Sequence, residues 1–164
     1  MARVYLSLGS NINKEDNIKS GVVALKKEFG LVALSSVYES EAVGFDGDNF
    51  HNLVAMIDTD MDIKSLSQYL RSLEQAHGRD RNAPKFSART LDIDILTYDS
   101  LIGVHSGVEL PRSEILKNAF VLWPLAEIAP NECHPVQGKT YASLWTSFHL
   151  NGQKIWKAES DRLM

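Results

Sequence analysis

Within TLDIDILTY, residues 90–98, Asp92 and Asp94 stand two apart in a β-type pattern, so both carboxylates project to one face while Leu91, Ile93 and Ile95 project to the other. Such a pair is an oxygen-only anchor suited to Mg²⁺, which keeps positions open for waters and phosphate oxygens. A lone Asp-x-Asp equally suits a solvated strand face. Just upstream, Arg79, Arg81, Lys85 and Arg89 place four cations in eleven residues, with Asp80 opposing them. Arginine forks match phosphate oxygens in bidentate geometry, so cations running directly into an acidic strand describe a polyphosphate site. A solvated charged loop is the plainer alternative for the cations alone.

Further upstream, SEAVGFDGDN, residues 40–49, is long for a hairpin connection and carries two glycines, as binding loops and ordinary surface loops both do. Phe50 and Asn52 follow on one face of the next strand. An aromatic plate beside an amide that donates and accepts suits a flat heterocycle, and helix-packed core with one satisfied Asn suits the same pattern. LGSN, residues 8–11, lacks the Gly-Lys-Ser/Thr of a phosphate-binding P-loop. The five histidines show no metal-ligand spacing, Cys133 beside His134 is too little for zinc, and no nucleophile elbow is present.

The elements that must position these residues are legible from periodicity. Val4, Leu6 and Leu8 alternate with Tyr5 and Ser7 as a half-buried strand ending at the turn residues Gly9, Ser10 and Asn11. Ile18, Val22, Leu25 and Phe29 form the apolar stripe of a helix closed by Gly30. Residues 31–39 and 50–57 read as strands. Asp62 is a candidate N-cap for a helix carrying Ile63, Leu66, Leu70 and Leu73, with Gly78 just past its end. The order strand, helix, strand, strand, helix, strand predicts an α+β, ferredoxin-like β-α-β-β-α-β fold, an antiparallel sheet with two helices packed on one face. Residues 120–128 read as a short helix broken by Pro124. Beyond Trp145 the pattern is uninformative.

With 164 residues, 44% hydrophobic and 23% charged, the chain is expected to form a single domain over 1–164, with core enough to do without disulfides. Its net charge of −4, from 17 basic and 21 acidic side chains, supplies no broad positive field for a polynucleotide, so no nucleic-acid partner is expected. One cysteine forms no internal disulfide, and no apolar run approaches the roughly 20 residues that span a bilayer, so a cytoplasmic protein with no membrane partner is expected.

LGSN, FHN at Phe50 to Asn52, GRDRNAPKFSARTLDIDIL and FVLWPLAEIAP together resemble the 6-hydroxymethyl-7,8-dihydropterin pyrophosphokinases of folate biosynthesis, over about residues 3–145, leaving 146–164 as an extension. The resemblance implies an enzyme that moves the pyrophosphoryl group of ATP, the co-substrate, onto the hydroxymethyl group of the pterin and releases AMP, with two Mg²⁺ ions. It implies no macromolecular partner and a monomer or weak dimer. On that pattern Asp92 and Asp94 hold metal, and Arg79 and Arg89 hold phosphate groups. The pterin would lie between Phe50 and Phe120, read by Asn52 with the backbone of Ser40 and Val43. Glu74, Arg81, Lys85 and Phe86 would meet the nucleotide, Phe86 standing where the family usually has tryptophan in its mobile catalytic loop, and Ile95, Arg112 and Lys117 would complete that end.

The chain departs from the family pattern mainly at the nucleotide end. The family commonly reads Pro-His and later Arg before its FVL segment, whereas Pro111 is followed here by Arg112 and Ser113, and Asn118 occupies the arginine position. Asn82 also takes a place that is often basic. Three functions compete on these residues: the pyrophosphokinase, a diverged paralogue that binds a pterin without efficient transfer, and a metal-dependent nucleotidyl enzyme or nuclease. The acidic balance argues against the last.

Overall fold

The computed structural model describes residues 1–30, 32–42, 47–78 and 90–158. Its centre is strand β1 (Ala2–Ser10), flanked antiparallel by β4 (Phe50–Thr59) and β5 (Asp92–Tyr98). Two short strands, β2 (Ala33–Leu34) and β3 (Tyr38–Ser40), pair with the far side of β4. Strand β8 (Ile155–Lys157) closes that edge on β3. The result is a six-stranded sheet of order β5-β1-β4-β3-β8, with β2 beside β3 on β4. A separate hairpin joins β6 (Gly103–His105) to β7 (Val108–Leu110).

Helices α1 (Lys14–Phe29) and α2 (Ile63–Ala76) lie where their apolar stripes predict. Ile18, Val22 and Leu25 of α1, with Leu66, Leu70 and Leu73 of α2, pack on Val4, Leu6, Leu8, Leu53, Ile57, Ile93 and Ile95. Leu6, Leu8 and Leu53 are wholly buried, each stabilising the fold by about 1.5–3 kcal/mol. Asp62 caps α2 by accepting the Ser65 N–H at 2.8 Å. Gly30 ends α1 at φ 79°, a conformation open to glycine, and donates its N–H to the Lys26 carbonyl.

The antiparallel sheet with helices is present, and four local expectations are corrected. First, helices cover both faces: α3 (Ala119–Ile128) and α4 (Tyr141–Thr146) pack on Tyr5, Val54 and Leu96. Those three residues are apolar on the second face, and so require a cover. Second, Pro124 sits inside α3 without breaking it. A helix-interior proline costs about 3 kcal/mol, which burial of Val121, Leu122 and Leu125 outweighs at about 1.5–3 kcal/mol each. Third, β1 runs through Gly9 and Ser10, because both pair with β4 and the ladder overrides their turn preference. Fourth, the strand expected over 31–39 is divided, the chain between β2 and β3 being held instead by Ser35: its N–H donates to the Val54 carbonyl and its hydroxyl accepts the Val54 N–H, both at 2.9 Å.

Helix α3 is fixed in direction over β3. Near its C-terminus Glu127 accepts the Ser36 N–H and hydroxyl and the hydroxyl of the fully buried Tyr38. Burial alone would raise the Glu127 carboxyl, but these hydrogen bonds outweigh it and hold the group below its ordinary range. One turn earlier Trp123 packs on Tyr38 with ring centroids 4.7 Å apart. The helix therefore runs antiparallel to residues 36–40, which carries Phe120, another turn earlier, toward Ser40.

Candidate functional site

Strand pairing assembles the site on the α3 face, at one end of the sheet. Gly9 pairs with Asn52 on one side and Asp92 on the other, while Asn52 pairs with Tyr38. One rung along, Ser7 pairs with Val54 and Asp94. Residues on paired rungs share a face, so Asn52, the bare Gly9 and Asp92 form one row beside the Asp94 row. A side chain at position 9 would meet the Asn52 Oδ1, since an added Cβ would stand 2.9 Å from it. Glycine within a strand marks this close approach. Sequence reading took Gly9 as a turn residue and LGSN as a family motif that is not a P-loop; the signal missed was a glycine inside a continuing strand.

Asn52 is buried and donates its Nδ2–H to the Ser40 hydroxyl at 2.9 Å. Phe50 stands opposite Ser40 on the adjacent rung and is half-buried. Phe120 is half-buried against the α3 cluster. The structure therefore brings Ser40, Phe50, Asn52 and Phe120 to one end of one face. The return of the 40–49 loop is tied down by a polar group at the head of α1. Asn11 Nδ2 donates to the Asp48 carbonyl at 3.1 Å, and Asn49 Nδ2 to Glu39 Oε2 at 3.0 Å. Buried His51 sits 3.1 Å from the other Glu39 oxygen.

Asp92 and Asp94 lie on the same face, half-buried and in hydrogen-bonding contact. Desolvation, then the neighbouring Asp92 carboxylate, push Asp94 well above the usual carboxylate range. A cation would remove that penalty, so two adjacent carboxylates with excess negative charge fit Mg²⁺. Among the described residues no third His, Cys, Asp or Glu completes a protein-only cage. An Mg²⁺ ion held here would need its remaining ligands from water and bound ligand, as this metal tolerates.

Arg112 enters the site from the loop after β7. Its backbone N–H donates to the Leu96 carbonyl at 2.9 Å, seating it beside β5. Its Nε donates to Glu114 Oε2 at 2.7 Å and its Nη2 lies 3.6 Å from Asp94 Oδ1. Burial opposes the charge, but Asp94 and Glu114 outweigh it, so the guanidinium stays cationic. Glu114, absent from the sequence-derived site, is the residue that aims it.

Other expected positions stand elsewhere. Ile95 is buried on the α1/α2 face, so its side chain does not share the aspartate face; only its backbone, on edge strand β5, is open to a ligand. Glu74 is buried at the same edge, where Oε2 accepts the Ile93 N–H at 2.8 Å, between the two aspartates. Glu74→Ala leaves that N–H without this acceptor and is expected to lower stability by about 1–3 kcal/mol, measured by urea denaturation. Lys117 is exposed, just before α3. Val43, Arg79, Arg81, Lys85, Phe86 and Arg89 lie outside the described residues.

Comparison with known proteins gives the family. Residues 5–130 match the profile of the family described as 7,8-dihydro-6-hydroxymethylpterin-pyrophosphokinase, HPPK. The chain is 34% identical over 141 residues to the 2-amino-4-hydroxy-6-hydroxymethyldihydropteridine pyrophosphokinase of Aquifex aeolicus, covering 85% of this chain and 88% of that one. It is 37% identical over 135 residues to the protein of the same name from Methylorubrum extorquens, covering 80% and 85%. Folic acid synthesis protein FOL1 of Dictyostelium discoideum is 35% identical over 80% of this chain, which spans only 20% of that longer protein. Among solved structures, the wild-type HPPK-DHPS of Plasmodium falciparum superposes with a TM-score of 0.70 at 12% identity, over 88% of this chain and 40% of that one. That likeness concerns the fold. The profile match takes in β1, β4, β5, the Arg112 loop and α3, the parts that build the site, and with the relatives over a third identical it establishes that the chain belongs to the HPPK family.

Proposed function

We propose that the chain transfers the pyrophosphoryl group of ATP to 6-hydroxymethyl-7,8-dihydropterin, giving AMP and the pterin diphosphate. The observation that carries this reading is the row Asn52, Gly9, Asp92. It sets an amide able to read a heterocycle edge, a glycine with no side chain and a carboxylate able to bind metal side by side on one sheet face. A flat pterin lies across that floor between Phe50 and Phe120, its polar edge at Asn52 and the Ser40 and Val43 backbone. Its hydroxymethyl group then points toward Asp92 and Asp94.

The pterin hydroxyl oxygen forms a bond to the β-phosphorus of ATP, the bond from that phosphorus to the α,β-bridging oxygen breaks, and AMP leaves with the electron pair while the hydroxyl proton is released. No covalent enzyme intermediate is needed. Phosphoryl chemistry of this kind depends on positioning and charge neutralisation. Asp92 and Asp94 would hold Mg²⁺, two ions in this reading, and the metal when bound would supply charge neutralisation for the phosphates. Arg79 and Arg89 hold phosphate oxygens, with Arg81, Lys85 and Phe86 from the same segment closing the nucleotide end. Glu74 fixes the edge of β5, Ile95 offers backbone there, and Lys117 adds positive charge.

Arg112 replaces the histidine usual in the family, and its cationic fork beside Asp94 gives it a phosphate role. Arg112→Ala is expected to raise the KM for ATP by about tenfold, the cost of a lost charge-assisted bond, with the pterin KM little changed. The function itself is tested by incubating the protein with ATP, Mg²⁺ and hydroxymethyl-dihydropterin and separating AMP from ADP. AMP formed only with pterin supports the reading, and ADP or no turnover contradicts it.

A further inference from the structure

The C-terminal extension lies past the family match, which ends at residue 130. Residues 153–158 nevertheless touch both walls of the proposed pterin site. On one wall, β8 pairs with Tyr38, Glu39 and Ser40, and the Lys154 carbonyl accepts the Glu41 N–H at 3.2 Å. This covers the outer edge of the strand whose Ser40 hydroxyl holds Asn52.

On the other wall, Gln153 reads the start of α3 with both ends of its amide. Oε1 accepts the Ala119 N–H at 2.8 Å, and Nε2 donates to the Lys117 carbonyl at 2.9 Å. Asn118 occupies the cap position of α3, and asparagine is a favoured cap, yet its side chain makes no cap hydrogen bond. Gln153, 34 residues away, takes the Ala119 N–H, one of the first helix N–H groups that have no partner within the helix. Its own N–H is fixed by the Leu150 carbonyl at 2.9 Å.

We infer that Gln153 is a positioning residue for the pterin: it locks the first turn of α3, and so Phe120, at a set height above Asn52, while β8 anchors Ser40 from the same short segment. The inference rests on the pterin reading of Phe120 and Asn52. It touches neither the aspartates nor Arg112, and it meets Lys117 only at the main-chain carbonyl, leaving that ammonium free to serve ATP, so its effect falls mainly on pterin affinity and little on ATP affinity or the chemical step.

The full-length variants Gln153→Ala and Gln153→Glu test it. Gln153→Ala loses both amide bonds, whereas Gln153→Glu keeps the acceptor for Ala119 and loses the donor to Lys117. In the ligand-free protein, NMR hydrogen exchange at the Ala119 amide is expected to speed up by about tenfold in Gln153→Ala and to stay near wild type in Gln153→Glu. The KM and calorimetric Kd for hydroxymethyl-dihydropterin are expected to rise by about tenfold in Gln153→Ala, with the ATP KM and kcat within about twofold of wild type, and Gln153→Glu recovering most of the loss. Unchanged pterin affinity despite faster Ala119 exchange overturns the inference, as does an equal rise in both KM values. A wild type that binds pterin without releasing AMP, and whose pterin Kd still rises in Gln153→Ala, sinks the transfer reading and supports this one. A wild type that binds no pterin overturns both.

Discussion

Asp92→Asn and Asp94→Asn are each expected to abolish pterin-dependent AMP release while the protein stays folded. Both carboxylates lie half-buried on the α3 face, outside the apolar core, so on the proposed reading their loss removes metal ligands and charge compensation worth several kcal/mol in the transition state, and little packing. Asp94→Asn has a second effect of opposite sign. In the metal-free protein Asp94 titrates well above an ordinary carboxyl, so the folded state binds more protons than the unfolded one between the two values. Metal-free stability therefore falls as pH rises through that window, and Asn at position 94 removes the fall. At neutral pH the metal-free variant is expected to be more stable than wild type, because the desolvated carboxylate that must ionise there is gone. Thermal melts against pH in chelator, with rates against Mg²⁺ concentration, measure both effects. Wild-type turnover in either variant removes the pair from the site.

The second large effect is at the pterin floor. Asn52→Ala and Phe50→Ala are expected to weaken pterin binding by about 1–3 kcal/mol each, the former by leaving a polar heterocycle edge unmatched and the latter by removing stacking area. Gly9→Ala should weaken it comparably without deleting any contacting group, because its methyl would stand 2.9 Å from the Asn52 Oδ1 and force the amide off its Ser40 hydrogen bond. ATP binding is unaffected in all three. Calorimetry with pterin and with a non-hydrolysable ATP analogue, taken separately, makes the comparison. Equal losses for both ligands would mean that Phe50 and Asn52 serve only the core.

What was legible before the structure follows from which signals are local. Alternation along a strand fixes a face, so the shared face of Asp92 and Asp94, and that of Phe50 and Asn52, could be read directly. Helix stripes and end signals likewise placed α1 and α2, down to the Asp62 cap and Gly30. Contacts between distant segments leave no comparable trace. That Gly9 would fall between Asn52 and Asp92 depends on the register of three strands, and a glycine after an alternating run reads locally as a turn. That Glu114 would aim Arg112, or that Gln153 would bind the first N–H of α3, is fixed only by tertiary packing. The second helical layer was missed for a related reason. On that face the strands carry polar site residues at one end and only Tyr5, Val54 and Leu96 as buried apolar residues beyond them, too short a stretch in any one strand to announce a covering helix.

The fate of the ATP phosphates tests the central claim most directly. With ATP labelled separately at the β- and γ-phosphorus, Mg²⁺ and hydroxymethyl-dihydropterin, wild-type protein should carry both labels into the pterin product in equal amounts and release unlabelled AMP, and Asp92→Asn should carry neither. Recovery of the β-label in ADP with only the γ-label on the pterin, or consumption of ATP independent of pterin, would contradict the account.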